Sequence, residues 1–210
     1  MAIKPILFNS EMVRAILDGR KDATRKIVKG FIPDDAVWGY TAFTPKGYIS
    51  CRGTFADGYG EKFFKLPCEP GDILYVRETW KKALNGYYYY EAWQRNDIAD
   101  VTKWKPSIRM PKEAARIWLK VTNVRVERLQ EITDEQAKRE GIQYDECPTG
   151  FTWKQETDMH NCYTTPIGAM QALWNSTIKK SDLDGYGWDA NPWVWTIEFE
   201  RCEKPEEISG

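Results

Sequence analysis

A lysine near a hydroxyl side chain, and a carboxylate where an apolar residue belongs, are patterns that point to chemistry, and this chain carries one of each. The first lies in Gly19-Arg20-Lys21-Asp22-Ala23-Thr24-Arg25-Lys26. In an extended chain Lys21 and Thr24 would lie roughly 10 Å apart, at ~3.3 Å per residue, on opposite faces. A turn over residues 21–24 brings their Cα atoms within about 7 Å and lets the side chains converge. A Lys whose pKa is lowered by burial would then serve as base to a Thr nucleophile. The same residue types also suit a solvated basic turn behind a helix end, so both readings stand at this point.

The second pattern is Gly71-Asp72-Ile73-Leu74-Tyr75-Val76-Arg77-Glu78-Thr79-Trp80. Strand alternation places Leu74, Val76, Glu78 and Trp80 on one face, with Ile73, Tyr75, Arg77 and Thr79 on the other. Glu78 therefore interrupts an apolar row, and a buried carboxylate is costly unless a cation or several donors meet it. Something basic must face Glu78. Lys21 is a candidate, and a strand-end salt bridge to a nearby Arg is the alternative. If Lys21 is the partner, Lys21, Thr24 and Glu78 converge on one site.

The elements that must position these residues are readable from local signals. Asn9 or Ser10 caps a helix with Met12, Val13, Ile16 and Leu17 on one face, and Asp18-Gly19 ends it. Residues 31–69 carry short apolar bursts between glycines, with Asp57-Gly58 as a hairpin turn, and read as a β-hairpin-rich insertion. One long strand is expected over Asp72–Leu84, turned by Asn85-Gly86 into an antiparallel return over Tyr87–Trp93. A further strand spans about Ala115–Leu129. Thr133-Asp134-Glu135-Gln136 has capping-box spacing and opens a short helix that Gly141 closes. A long irregular stretch, the second insertion at about 144–164, precedes a helix capped by Thr165 with Pro166 at its first position. The last strand, Pro192–Arg201, alternates Trp193, Trp195, Ile197 and Phe199 with polar or smaller residues. Many strands with interspersed short helices indicate an α+β chain, built as one domain over residues 1–210 around a small, partly open β-barrel with helices at its rim.

Composition narrows the class. The 210 residues carry 30 Lys+Arg against 31 Asp+Glu, a net charge of −1, so no global basic field attracts polyanions or anionic membranes. The 42% hydrophobic and 29% charged residues describe a globular protein rather than a disordered one. No apolar signal-like segment follows Met1, and five cysteines without a close pair suit free thiols, so a soluble cytoplasmic protein is expected. Cys147, His160 and Cys162 lack the tight spacing of structural zinc sites, so neither metal nor cofactor is expected.

Taken together, Gly-x-Lys-x-x-Thr-Arg after an N-terminal helix and Gly-Asp-x-x-x-Val-Arg-Glu-Thr on a strand resemble the ASCH family. That family has a PUA-like β-barrel associated with RNA and modified nucleosides. The resemblance extends over Arg116–Gly141, with its Glu-Gly-Ile ending, and over the last strand, about two thirds of the chain. Trp104-Lys105-Pro106-Ser107-Ile108-Arg109-Met110-Pro111 and the two insertions look like the longer, phage-associated branch. Some small members are amidohydrolases that remove the acetyl group of N4-acetylcytidine with a Lys, a Thr and a Glu. By motif position the resemblance implies Thr24 as nucleophile, Lys21 as base and Glu78 as the group that orients the Lys or shuttles the proton. Others in the family are proposed RNA binders, or nucleases that depend on the motif Lys. A non-catalytic RNA- or DNA-binding module is therefore the alternative.

Nucleic-acid contacts, to RNA rather than DNA, are expected from Arg20, Arg25, Arg77 and Arg109, with Trp188, in a Gly-rich loop, as the stacking residue. Six basic residues over Arg14–Lys29 and eight over Lys103–Arg128 make a basic patch if the fold brings the segments together, and solvated, balanced faces otherwise.

Overall fold

The computed structural model describes residues 1–92, 103–146, 149–154 and 162–206; Trp93, Cys147 and His160 lie outside the described residues. The chain is a mixed, strand-rich α+β protein. Its main sheet has five strands in the order β1 (Ile3–Leu7), β6 (Ile73–Arg77), β9 (Trp118–Arg128), β12 (Trp193–Cys202) and β2 (Ala23–Ile27). Only the β1–β6 pair is parallel. Strands β1 and β2 are the two edges, and no sheet among the described residues closes on itself.

Helix α1 (Ser10–Leu17) follows β1, with the Asn9 side chain accepting from the Met12 amide. Its apolar face, including Val13 and Ile16, packs into the core with Ile6, Phe8, Val76, Leu119, Trp195 and Ile197. The opposite face of the sheet is covered by α2 (Asp134–Arg139) and α3 (Pro166–Thr177), whose Ala137, Met170, Leu173 and Trp174 pack with Val194 and Leu129. Both helices start where expected. Thr133 and Gln136 form a reciprocal capping box, and Thr165 accepts from the Gly168 amide with Pro166 in the first turn. A fourth short helix, α4 (Leu183–Tyr186), leads back towards β12.

The 31–69 segment folds into a three-stranded sheet of β3 (Val37–Gly39), β4 (Tyr48–Phe55) and β5 (Gly58–Lys65). Two expectations change. The single strand over Asp72–Leu84 is broken: the β6 ladder ends at Arg77, and Trp80–Ala83 (β7) pairs instead with Gly86–Tyr89 (β8) in a separate hairpin. The break falls where the Glu78 amide turns to the Met110 sulfur and Trp80 exchanges two backbone hydrogen bonds with Lys105. The stretch expected to be irregular contains a hairpin, β10 (Gln143–Glu146) with β11 (Thr149–Thr152).

Candidate functional site

Alternation along β2 sorts its residues onto two faces. Lys21, which precedes the strand, and Arg25 point to the side covered by α2; both reach the same Glu140 carboxylate at the end of that helix. The Lys21 ammonium donates to Glu140 Oε2 at 2.8 Å, to the Glu140 carbonyl at 3.0 Å and to the Ala23 carbonyl at 2.7 Å. An ammonium has three donors, so all are engaged. Arg25 donates to the other Glu140 oxygen at 2.9 Å, and to Glu127 and Gln136. Glu127 also receives hydrogen bonds from Thr196 and Arg125. Burial would push the Glu127 carboxyl up, but Thr196, Arg25 and Arg125 hold it below its ordinary value. Lys21, Arg25 and Glu140 are each at least nine-tenths buried.

Glu78 is buried as its place in an apolar row requires, but its counter-ion is Arg116. The guanidinium grips both carboxylate oxygens at 2.8 Å, and extends to Glu91, which in turn meets Arg14. Desolvation raises the Glu78 pKa against the opposing effect of Arg116. The Lys21–Glu78 pairing expected from the sequence is therefore corrected to two separate networks, Lys21–Glu140 and Glu78–Arg116. Nor do residues 21–24 form the turn that would bring Lys21 to Thr24: the segment is extended, with a Lys21–Glu140 bridge and Ala23 already in register with Glu198.

On its other face β2 presents Thr24 and Lys26, opposite Ile197 and Trp195 of β12. Both line a cleft of about 420 Å³ at the ends of the two edge strands, together with Leu7, Phe8, Asn9, Met12, Thr79, Ser107 and Thr177, and Arg25 between them also borders it although its guanidinium is held in the acid network. This size suits a small organic ligand. Thr24 is 5% exposed, and its hydroxyl has no hydrogen-bond partner among the described residues. Lys26 has no ion pair or hydrogen bond among them, and burial lowers its pKa, with neighbouring Cys68 a smaller opposing influence. Lys21 does not line this cleft; Thr79, the neighbour of Glu78, does.

The expected nucleic-acid contacts separate. Arg25 is buried in its acid network and offers no guanidinium to solvent, which corrects its assignment. Trp188 is only 8% exposed, packed with Trp174 and Leu173; its backbone carbonyl and amide are taken by Gln130 and Asn175. It is a core residue, not a stacking platform, because the loop before β12 is drawn onto α3. Arg20 caps the Gly141 carbonyl and pairs with Asp18. Arg77 bonds the Tyr75 hydroxyl and the Ile108 carbonyl. Only Arg109, exposed in a short turn over Ser107–Arg109, has no side-chain partner among the described residues. Much of the sequence-level basic patch is neutralised within the fold, as Arg116, Arg125 and Arg128 also carry acidic partners.

Three residues escaped the sequence reading. Lys26 was readable, since i and i+2 share a strand face. Arg116 and Glu140 were not, because their partners lie 38 and 119 residues away. Among the described residues no group of three or more His, Cys, Asp or Glu side chains is arranged to hold a metal ion, and no helix is long and apolar enough to cross a membrane. Cys51, Cys68, Cys162 and Cys202 are free thiols. No family model matches this chain, and no curated protein or solved structure matches it.

Proposed function

We propose that the cleft between β1 and β2 receives a nucleobase or modified nucleoside, and that the chain acts as an amidohydrolase on an N4-acylated cytidine in the cytoplasm. In this reading the five-stranded sheet, with its two facing edges, is the open side of a PUA-like barrel of the ASCH type. The observation that carries the proposal is the Thr24 hydroxyl, unpartnered in a cleft whose apolar wall of Leu7, Phe8 and Met12 suits a base. The polar groups of Asn9, Thr79 and Ser107 would satisfy the edges of a base. A hydroxyl at a cleft wall that no group among the described residues engages is available as a nucleophile.

Thr24 attacks the acyl carbonyl, the exocyclic amine of cytidine departs, and water releases the acyl group from the threonine. Lys21 and Glu78 act at one remove. Lys21 fixes the start of β2 to Glu140, and Glu78 fixes the chain that carries Thr79. Free nucleosides, or nucleosides at an RNA end, fit a cleft of this size better than a duplex does.

The test is direct. Purified protein is incubated with N4-acetylcytidine and the products are separated by reversed-phase chromatography. Cytidine should appear with the native chain and fall by on the order of 10⁴ in Thr24→Val. Absence of cytidine with the native protein, or its undiminished release by Thr24→Val, overturns the reading. Salt-dependent oligonucleotide binding without turnover would instead favour the binding module.

A further inference from the structure

Of the three cations on the 21–26 segment, two are locked into acids and one is not. Lys21 and Arg25 share Glu140 on the helix-covered face. Lys26 lies on the cleft face with Thr24, and meets no acid or acceptor among the described residues. Two residues along a strand separate the Cα atoms by ~6.6 Å, a span that a four-carbon lysine stem covers. We propose that Lys26, not Lys21, is the reacting amine of the Thr24 cleft, taking the Thr24 proton during acyl transfer.

The step balances as follows. Neutral Lys26 Nζ accepts the Thr24 hydroxyl proton as Thr24 Oγ1 bonds to the acyl carbon. The resulting ammonium returns that proton to the departing nitrogen as its bond to the acyl carbon breaks. Water then attacks the acyl-threonine, giving a proton to Lys26 Nζ that passes back to Thr24 Oγ1 as the free acid leaves. The inference rests on the acyl-transfer reading above, though not on the nucleoside as substrate.

A base must be neutral part of the time near neutral pH, and the surroundings of Lys26 favour this. Burial opposes its charge, and Trp195 lies opposite it on β12. Cys68 is the titratable group that faces it, itself raised to about 11 by burial and flanked by Lys4 and Asp72. Of the remaining cleft groups, Asn9, Thr79, Ser107 and Thr177 do not titrate near neutrality, and Arg25 is a permanent cation whose guanidinium is held by Glu140, Glu127 and Gln136. Lys21 has the reverse setting, with every donor on an acceptor.

The experiment uses p-nitrophenyl acetate, which needs no nucleoside recognition, and follows acetyl transfer to the full chain by peptide mass spectrometry. The native protein should gain an acetyl group on Thr24, at a rate that rises with pH through a midpoint below the ordinary lysine value. Lys26→Met and Lys26→Arg should both lose about 10²–10⁴ in that rate while keeping native circular dichroism; Arg keeps the charge but cannot give up its proton. Native-like Thr24 acetylation in a folded Lys26→Arg variant overturns the proposal. So does acetyl found on Lys26 itself in place of Thr24, or no acetyl-Thr24 in the native chain. Acetylation that follows Lys26, in a protein that leaves N4-acetylcytidine intact, retires the nucleoside reading and keeps Lys26. Cytidine release surviving in Lys26→Met does the opposite.

Discussion

Glu140→Gln is the substitution that most severely tests the charge arrangement beneath β2. The carboxylate divides its two oxygens between Lys21 at 2.8 Å and Arg25 at 2.9 Å, and the side chains of these cations are 0% and 1% exposed. Glutamine keeps the shape but leaves one oxygen and puts an NH2 group with two donors in place of the other, which confronts a buried cation with further donors. Removing one partner of a buried pair costs about 3–5 kcal/mol. For a chain of this size each kcal/mol shifts Tm by roughly 2–4 °C, so the midpoint should fall by about 6–20 °C. Lys21→Met should cost less, at about 1–3 kcal/mol, since the Glu140 carboxylate loses one donor but keeps Arg25, and the other two acceptors freed are carbonyls. The double variant should be more stable than the sum of the two losses, because the methionine removes a cation that the glutamine could not neutralise. Thermal melts by circular dichroism at low and at 1 M salt measure this. A buried network is poorly screened, so the deficit should persist in salt. A Glu140→Gln midpoint within about 2 °C of native, or a larger loss in Lys21→Met, would refute the reasoning.

Two further outcomes concern titration. Glu127 and Glu198 are held below their ordinary value of 4.5, burial being outweighed by Thr196 and Arg25 at Glu127, by Arg139 at Glu198, and by Arg125 at both. Their stabilisation is therefore complete above the unfolded pKa and lost as pH falls through the folded one, so urea midpoints should drop below about pH 4.5 and Glu127→Gln should flatten that drop; Glu78, raised by burial, contributes with the opposite sign. Burial pushes the thiols of Cys51 and Cys68 up to about 11, so iodoacetamide at pH 8 should modify them only after unfolding, and rapid native labelling of Cys68 would contradict its placement.

What the sequence disclosed depended on distance along the chain. Thr133 with Gln136, Thr165 with Pro166, and the glycine turns at Gly58 and Gly86 act within four residues, and each terminus and hairpin formed where those residues require. Glu78 was legible as a buried acid because alternation alone exposes a misplaced charge. Its partner was not, since Arg116 reaches it from just before β9, and nothing local marks which of several arginines a sheet register will bring near. Trp188 misled for the same reason. A tryptophan among glycines looks free until the chain around it is known to fold onto Trp174 and Leu173. The strand expected over Asp72–Leu84 failed because apolar alternation persists through a point where the backbone changes partners, and pattern carries no record of that change.

The cleft depends on this sorting of charge more than on any one side chain. Strand β2 is an edge, paired only with β12, and a one-residue slip of its register would exchange its two faces. Lys21 would then enter the cleft, the guanidinium of Arg25, which now only borders it, would turn into it, and Thr24 and Lys26 would face α2. The slip is opposed because Lys21 and Arg25 find acids on only one side, where Glu140, Glu127 and Gln136 wait with hydrogen-bond geometry. Moved to the apolar wall of Phe8 and Met12 they would be buried cations without partners, at several kcal/mol each. The neutralised pair thus fixes which lysine stays unpaired. Lys26 and Thr24 keep to the cleft face because the residues that alternate with them are held by partners on the far side of the strand.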